Sequence, residues 1–333
     1  MFSPKRAGGA CRRFRLRRGV TTSEEDAMTE PQARIAGQVG TQQGRDDPGA
    51  GEGARERLLS GLPTTERWLD LNGVSTAVLE GGDGPSVVLL HGPGEYGAKW
   101  FQVLPELAAT HHVVAPDLPG HGASEVIGGT LDAERVLGWL DDLIECTYSA
   151  PAALVGHVLG GAIAARFAIH RAERLRSLVL VDSLGLAAFQ PAPDFAAALG
   201  EFITQPTEEA HDRLWGQCAF DLHAMRDRIG ERWEWIKAYN LDRARAPGLR
   251  AAQEALMEQF GFAAIPPSEL ARIAVPTSLV WGRHDLATPL SVAETVSARH
   301  GWPLRVIESA GDDPPLEQPR AFLEALHAAL GSS

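Results

Sequence analysis

Residues Ala153–Phe167 read ALVGHVLGGAIAARF, and this stretch decides the fold. Its apolar start has the continuous hydrophobic character of a strand buried on both faces. Gly156, Gly160 and Gly161 then line a sharp turn, and a helical pattern over Leu159–His170 follows. Glycines so placed let the backbones of a strand and a helix approach closely. The apex of the turn is Val158, a side chain with no nucleophile, no hydrogen-bond donor and no ionisable group.

The same strand character recurs on both sides of this turn. It appears in SVVLLHG (Ser86–Gly92), HVVAPD (His112–Asp117), RSLVLVD (Arg176–Asp182), PTSLVWG (Pro276–Gly282) and PLRVIES (Pro303–Ser309). RWLDLN and VSTAVLE, separated by Gly73, read as an antiparallel hairpin. Helical patterns lie between the runs, at Lys99–Ala109, Leu131–Tyr148, Pro289–His300 and Glu317–Leu330. This alternation predicts an α/β fold, with a mostly parallel eight-stranded sheet and helices on both faces. One interval breaks it. Between Asp182 and Ile273 only helical patterns occur, which predicts a helical cap over 185–267 inserted into a core of 63–184 and 268–333. Trp215, Trp233, Trp235 and Tyr239 are expected mainly to pack cap helices together, with one or two facing a ligand.

Composition narrows the partners. The 333-residue chain is 44% hydrophobic and carries a net charge of −12, which argues against nucleic acid or an anionic membrane. No apolar run is long enough to span a bilayer. Cys11, Cys146 and Cys218 are an odd number without metal-ligand spacing. No disulfide framework, metal or cofactor is expected, and a reducing cytoplasm is the natural setting. Residues 1–19 are basic but lack the apolar stretch of a secretory signal. Residues 1–62 read as a disordered extension, with Met28 an alternative true start.

Five segments in order carry a resemblance: LLHGPGE (Leu89–Glu95), DLPGHGAS (Asp117–Ser124), GHVLGG (Gly156–Gly161), WGRHD (Trp281–Asp285) and SAGDDPPLEQP (Ser309–Pro319). With the inserted cap, the chain resembles the α/β-hydrolase superfamily, in particular its capped esterases, C–C bond hydrolases, epoxide hydrolases and haloperoxidase-like enzymes. The resemblance implies a Ser-His-Asp triad with its serine on the elbow G-x-S-x-G. Here Val158 stands at the nucleophile position, and Gly311-Asp312 stands where the family has Gly-His. Asp285 matches the triad acid. Of the two implied oxyanion donors, one is the Leu159 N–H; the other falls on Pro93, which has none, so Gly94 is the substitute.

The chemistry left to these residues excludes an acyl-serine. Three readings remain. An apolar small molecule is bound or transformed without an acyl-serine intermediate; Asp285 and Asp312 form an acid/base pair; or the frame is a non-catalytic receptor or carrier. Arg283 is a candidate to neutralise the aspartates. His91 and His121 are expected to brace backbone, and the His157 ring to point away from the cleft. His284 is the histidine best placed to approach the pocket. Glu95, Tyr96 and Lys99 are possible polar contributors, with exposed positions the preferred reading. Oligomeric state is left open.

Overall fold

The computed structural model describes residues 13–14 and 50–331. Ten strands form one sheet: β1 (Arg13–Phe14), β2 (Thr65–Leu71), β3 (Val74–Gly81), β4 (Ser86–Leu90), β5 (His112–Pro116), β6 (Glu125–Val126), β7 (Ala152–His157), β8 (Leu175–Val181), β9 (Thr277–Gly282) and β10 (Leu304–Ile307). Their order is β1-β2-β3-β5-β4-β7-β8-β9-β10, with β6 on β3. Eight are the strands expected from the sequence, and β1 and β6 are two-residue additions too short to carry a hydrophobic pattern. From β5 to β10 every pairing is parallel. The hairpin β2–β3 turns through Asn72 and Gly73, both at positive φ, as a two-residue turn requires.

Side chains of one strand alternate between two apolar cores. Val88 and Leu90 of β4 join the cluster containing Trp139, Phe167 and Trp281. Val87 and Leu89 join the cluster containing Trp100, Met225 and Phe322. That alternation is why the sheet needs helices on both faces.

Helix boundaries follow local chemistry. Asp132 caps helix Ala133–Thr147 by accepting from Arg135 N–H. The expected helix over 99–109 divides into a 3-10 segment, Gly97–Gln102, and a helix, Leu104–Thr110, with Pro105 near its start. The expected helix over 317–330 is likewise broken before Pro319, because the residue preceding a proline is pushed out of helical geometry. In the cap, Gly230 at φ 64 separates Leu222–Ile229 from Arg232–Arg245.

The expectation of disorder over 1–62 needs correcting at its end. Ala50–Leu59 is a helix packed along cap helix Arg232–Arg245. Its composition is polar and glycine-containing, so its order comes from tertiary contacts rather than propensity. Residues 60–62 follow it as a turn, and the rest of that extension, Met28 included, lies outside the described residues apart from β1.

The turn after β7 positions everything that follows. Val158 has φ 47 and ψ −106, a conformation that is strained for a β-branched residue by about 1–3 kcal/mol. Its N–H donates to Val181 at 2.9 Å, and its carbonyl accepts from Gly161 and Leu184 at 3.1 Å each. A Cβ on Gly160 would lie 2.6 Å from the Leu90 carbonyl oxygen, which is backbone and has no room to yield. Gly160→Ala is therefore expected to lower stability by about 1–3 kcal/mol, read as a lower urea midpoint at unchanged slope.

Candidate active site

Val158 forms part of the floor of a cavity of about 250 Å³ between core and cap. Cap side chains including Phe195, Phe202, Leu214, Trp215 and Ile236 line it on one side. The core wall is different in kind. Glu95, Lys99, His157, Asp312 and Asp313 all face the cavity, so its ionisable core groups are gathered at one end. Of the four cap aromatics singled out in the sequence, Trp215 lines the cavity, while Trp233 and Tyr239 are buried in packing.

Three loops bring the polar end together. After β4, Gly92-Pro93-Gly94-Glu95 makes a turn with Gly94 at φ 73. The Glu95 carboxylate closes it by accepting from Gly92 N–H at 2.5 Å. Lys99, 5% exposed, points from the following 3-10 turn into the protein. Its ammonium donates to Glu95 Oε1 at 2.8 Å and to His157 Nδ1 at 2.7 Å, and pairs with Asp313 Oδ1 at 3.2 Å. Three contacts match the three donors of an ammonium. With Nδ1 accepting, the His157 proton sits on Nε2, which donates to the Asp312 carbonyl at 2.6 Å. Lys99 thus joins the β4 loop, the elbow and the last loop of the core.

Burial opposes the Lys99 charge, and the facing carboxylates of Asp313 and Glu95 more than restore it, so the amine is held above its ordinary value. Glu95 works against burial too, and the Lys99 ammonium holds it well below the carboxylate range. Among the described residues, the main influences on Asp312 include no such cation. Burial first, then the charges of Asp285 and Asp313, push Asp312 well above its ordinary value. A carboxyl raised in this way holds its proton to higher pH, and while protonated it is a hydrogen-bond donor.

Asp285 lies behind this wall rather than on it. It is 5% exposed, and its Oδ1 accepts from the N–H groups of Ala287 and Thr288 at 2.7 and 2.8 Å. It contacts the side chain of Asp182, fully buried at the end of β8 with φ 45. Asp182 in turn accepts from Gly282 N–H at 2.8 Å. Burial raises Asp285 to about 8, and burial with the Asp285 charge raises Asp182 well above its ordinary value. Glu317, accepting from Gly311 and Phe220 N–H, is pushed by burial to about 7.

Several expectations change against these positions. His157 faces the cavity instead of pointing away, because the Lys99 ammonium and the Asp312 carbonyl hold both ring nitrogens. Glu95, Tyr96 and Lys99 are cavity-lining instead of exposed, since the 3-10 turn directs them inward. His284 is on the surface, stacked on Phe220 at 4.2 Å. Arg283 pairs with Glu308, away from the aspartates. Pro93 and Gly94 line the cavity beside Val158, and Leu159 opens the next helix, where its N–H has no intrahelical acceptor. His91 accepts from Leu118 N–H at 2.9 Å, bracing two loops. Missed by sequence reasoning were Asp313 and Asp182. The i, i+4 spacing of Glu95 and Lys99 was the visible hint of an ion pair there.

No group of three metal-ligating side chains occurs among the described residues. Nor is any helix among them long and apolar enough to cross a membrane.

A family model described as the alpha/beta hydrolase fold matches residues 85–319. The chain is 29% identical over 266 residues to a pimeloyl-[acyl-carrier protein] methyl ester esterase of Aeromonas hydrophila, covering 78% of this chain and 100% of that one. It is 27% identical over 270 residues to a 2-hydroxy-6-oxo-6-(2'-aminophenyl)hexa-2,4-dienoic acid hydrolase of Metapseudomonas resinovorans, covering 78% and 89%. Among solved structures it is similar to a 2-hydroxy-6-oxo-6-phenylhexa-2,4-dienoate hydrolase from Rhodococcus sp. strain RHA1, at 25% identity and a TM-score of 0.70, covering 81% and 99%.

Two outcomes follow from the polar wall. Lys99→Met strands two buried carboxyls and a ring nitrogen, and is expected to cost about 3–5 kcal/mol in chemical denaturation. The second concerns pH. Asp285 and Glu317 bind protons more tightly folded than unfolded, so their contribution is full below about pH 4 and is lost as the pH rises through their folded values, about 8 and about 7. The urea midpoint should fall between pH 5 and pH 8.5, and Asp285→Asn should flatten that slope.

Proposed function

We propose, from the premise that this chain belongs to the alpha/beta hydrolase fold family, that it takes an apolar small molecule carrying one polar group and moves a proton on it without an acyl-serine. The observation that carries this reading is the placement of Asp312. A carboxyl whose proton affinity is raised by burial lines the cavity with Glu95, Lys99, His157 and Asp313, beside the strained turn at Val158.

The chemistry follows from the groups present. A bound carbonyl directed to the floor would accept from the Asp312 carboxylic acid. The Leu159 N–H, at a helix N-terminus, adds a fixed donor for charge developing on oxygen. Proton delivery from Asp312 to the substrate oxygen leaves a carboxylate able to remove a proton from an adjacent carbon, the pattern of an isomerase, lyase or cyclase. Asp285, buried behind Asp312, is the second member of the acid/base pair. The cap excludes water, which strengthens these interactions. The relatives named above are by name a methyl ester esterase and hexa-2,4-dienoate hydrolases, and hydrolysis through an acyl-serine is closed to Val158.

A receptor or carrier role is the second reading, favoured by Val158 itself. It is 7% exposed and belongs to the apolar core, so the nucleophile position has become hydrophobic floor.

The test is turnover of a panel of apolar ketones, lactones and thioesters, followed by mass spectrometry. Asp312→Asn should lower the rate by about 10²–10⁴-fold; unchanged turnover removes Asp312 from the mechanism. Saturable binding without product selects the carrier reading. In Val158→Ser/Asp312→His, ester hydrolysis absent from the wild type is expected to appear.

A further inference from the structure

Helix Ala50–Leu59 lies outside the residues matched by the family model, yet it touches both walls of the cavity. It packs along cap helix Arg232–Arg245 and against the core's Gly97–Gln102 turn. Ala54 and Leu58 are buried in the cluster that holds Tyr96, Ile236 and Tyr239. Between them Arg55 points inward and is 8% exposed. Its Nη2 pairs with Asp117 at 2.9 Å and with Glu66 at 2.6 Å, and its Nη1 donates to the Tyr239 hydroxyl at 3.1 Å. Burial opposes this charge, and Asp117, Tyr239 and Glu66 outweigh it.

Two of these partners lead directly to the cavity. Asp117 uses its other oxygen to accept from Gly97 N–H at 2.6 Å, which fixes the start of the turn carrying Lys99. The Tyr239 ring stands edge-on to Tyr96, 4.6 Å between centroids at 86°. The helix bearing Tyr239 also supplies Ile236 and Asn240 to the cavity lining. One guanidinium therefore links the cap helix, through Tyr239, to the core segment that presents Tyr96 and Lys99, through Asp117.

We propose that Arg55 is a positioning residue, which through Asp117 and Tyr239 sets the Tyr96–Lys99 wall and ties the cap to the core. The N-terminal helix is then a strap over the cavity, and the cap lifts only when that helix releases. The significance of the strap rests on the cavity being the functional site. Its existence does not, because the hydrogen-bond geometry stands without a ligand.

Hydrogen–deuterium exchange on the full chain tests the strap without any ligand. In Arg55→Met, exchange in residues 92–103 and 232–245 should quicken by about tenfold or more, with 152–157 and 175–181 unchanged. Faster exchange confined to 50–62, or wild-type rates in both target segments, overturns the proposal. If Arg55→Met fails to fold, Tyr239→Phe carries the test by removing only the hydroxyl. Faster exchange in 232–245 then supports the strap, and wild-type rates there refute it.

A second measurement uses N-phenyl-1-naphthylamine, a neutral apolar dye, released in a stopped-flow experiment. Release should be about tenfold faster in Arg55→Met and partly slowed again in Arg55→Lys, which keeps the charge. Equal release rates in wild type and Arg55→Met would count against the strap. Absence of dye binding to the wild type would count against the cavity reading and leave the exchange result to decide the strap.

Discussion

The backbone at Val158 is the constraint on which the rest of this structure depends. A strand buried on both faces must reverse into a helix within one residue, and the geometry that allows it puts that residue at φ 47. The close approach requires Gly156 and Gly160, whose missing side chains leave space for neighbouring backbone. The carbonyl of Val158 then anchors the segment after β8 through Leu184, and Gly160 N–H anchors the segment after β4 through His91. The loops that build the cavity are thus hung from one strained turn. That the strain persists under a β-branched side chain means the surrounding hydrogen bonds over-determine the turn.

The second organising fact is an imbalance of charge behind that turn. Asp182, Asp285, Asp312, Asp313 and Glu317 converge on a region into which Lys99 brings a positive charge. Glu95 and Lys99 neutralise each other, with Asp313 sharing the ammonium. Burial raises the proton affinity of the remaining carboxyls, because it disfavours their charged form. The apolar cavity consequently ends in a wall of acids rather than in a nucleophile and base. Backbone N–H groups of Ala287, Thr288, Gly282 and Gly311 stabilise that wall without adding charge.

Much of this was legible in the sequence, for identifiable reasons. β7, its turn and helix Leu159–His170 were readable because glycine placement and apolar continuity are local properties. The helical insertion was readable because helical periodicity sustained over a long interval without strand character cannot be accommodated within a sheet. The inward face of Glu95-Tyr96-Lys99 was not. A short loop and a 3-10 turn have no periodicity long enough to mark a buried side. The orientation of the His157 ring was hidden for a related reason, since alternation along β7 says nothing about a hydrogen bond to residue 312.

The sequence by itself determined the architecture and the valine at the turn apex, because glycine spacing, hydrophobic runs and the identity of residue 158 are one-dimensional facts. It also placed an aspartate, Asp312, after the glycine of the last core loop. Only tertiary structure decided which charges meet. Lys99 finds Glu95 four residues away but His157 and Asp313 across the fold, and Arg55 finds Asp117 and Tyr239. Such pairings depend on where loops from distant strands converge, and electrostatic energy depends on distance and burial, neither of which a sequence position carries.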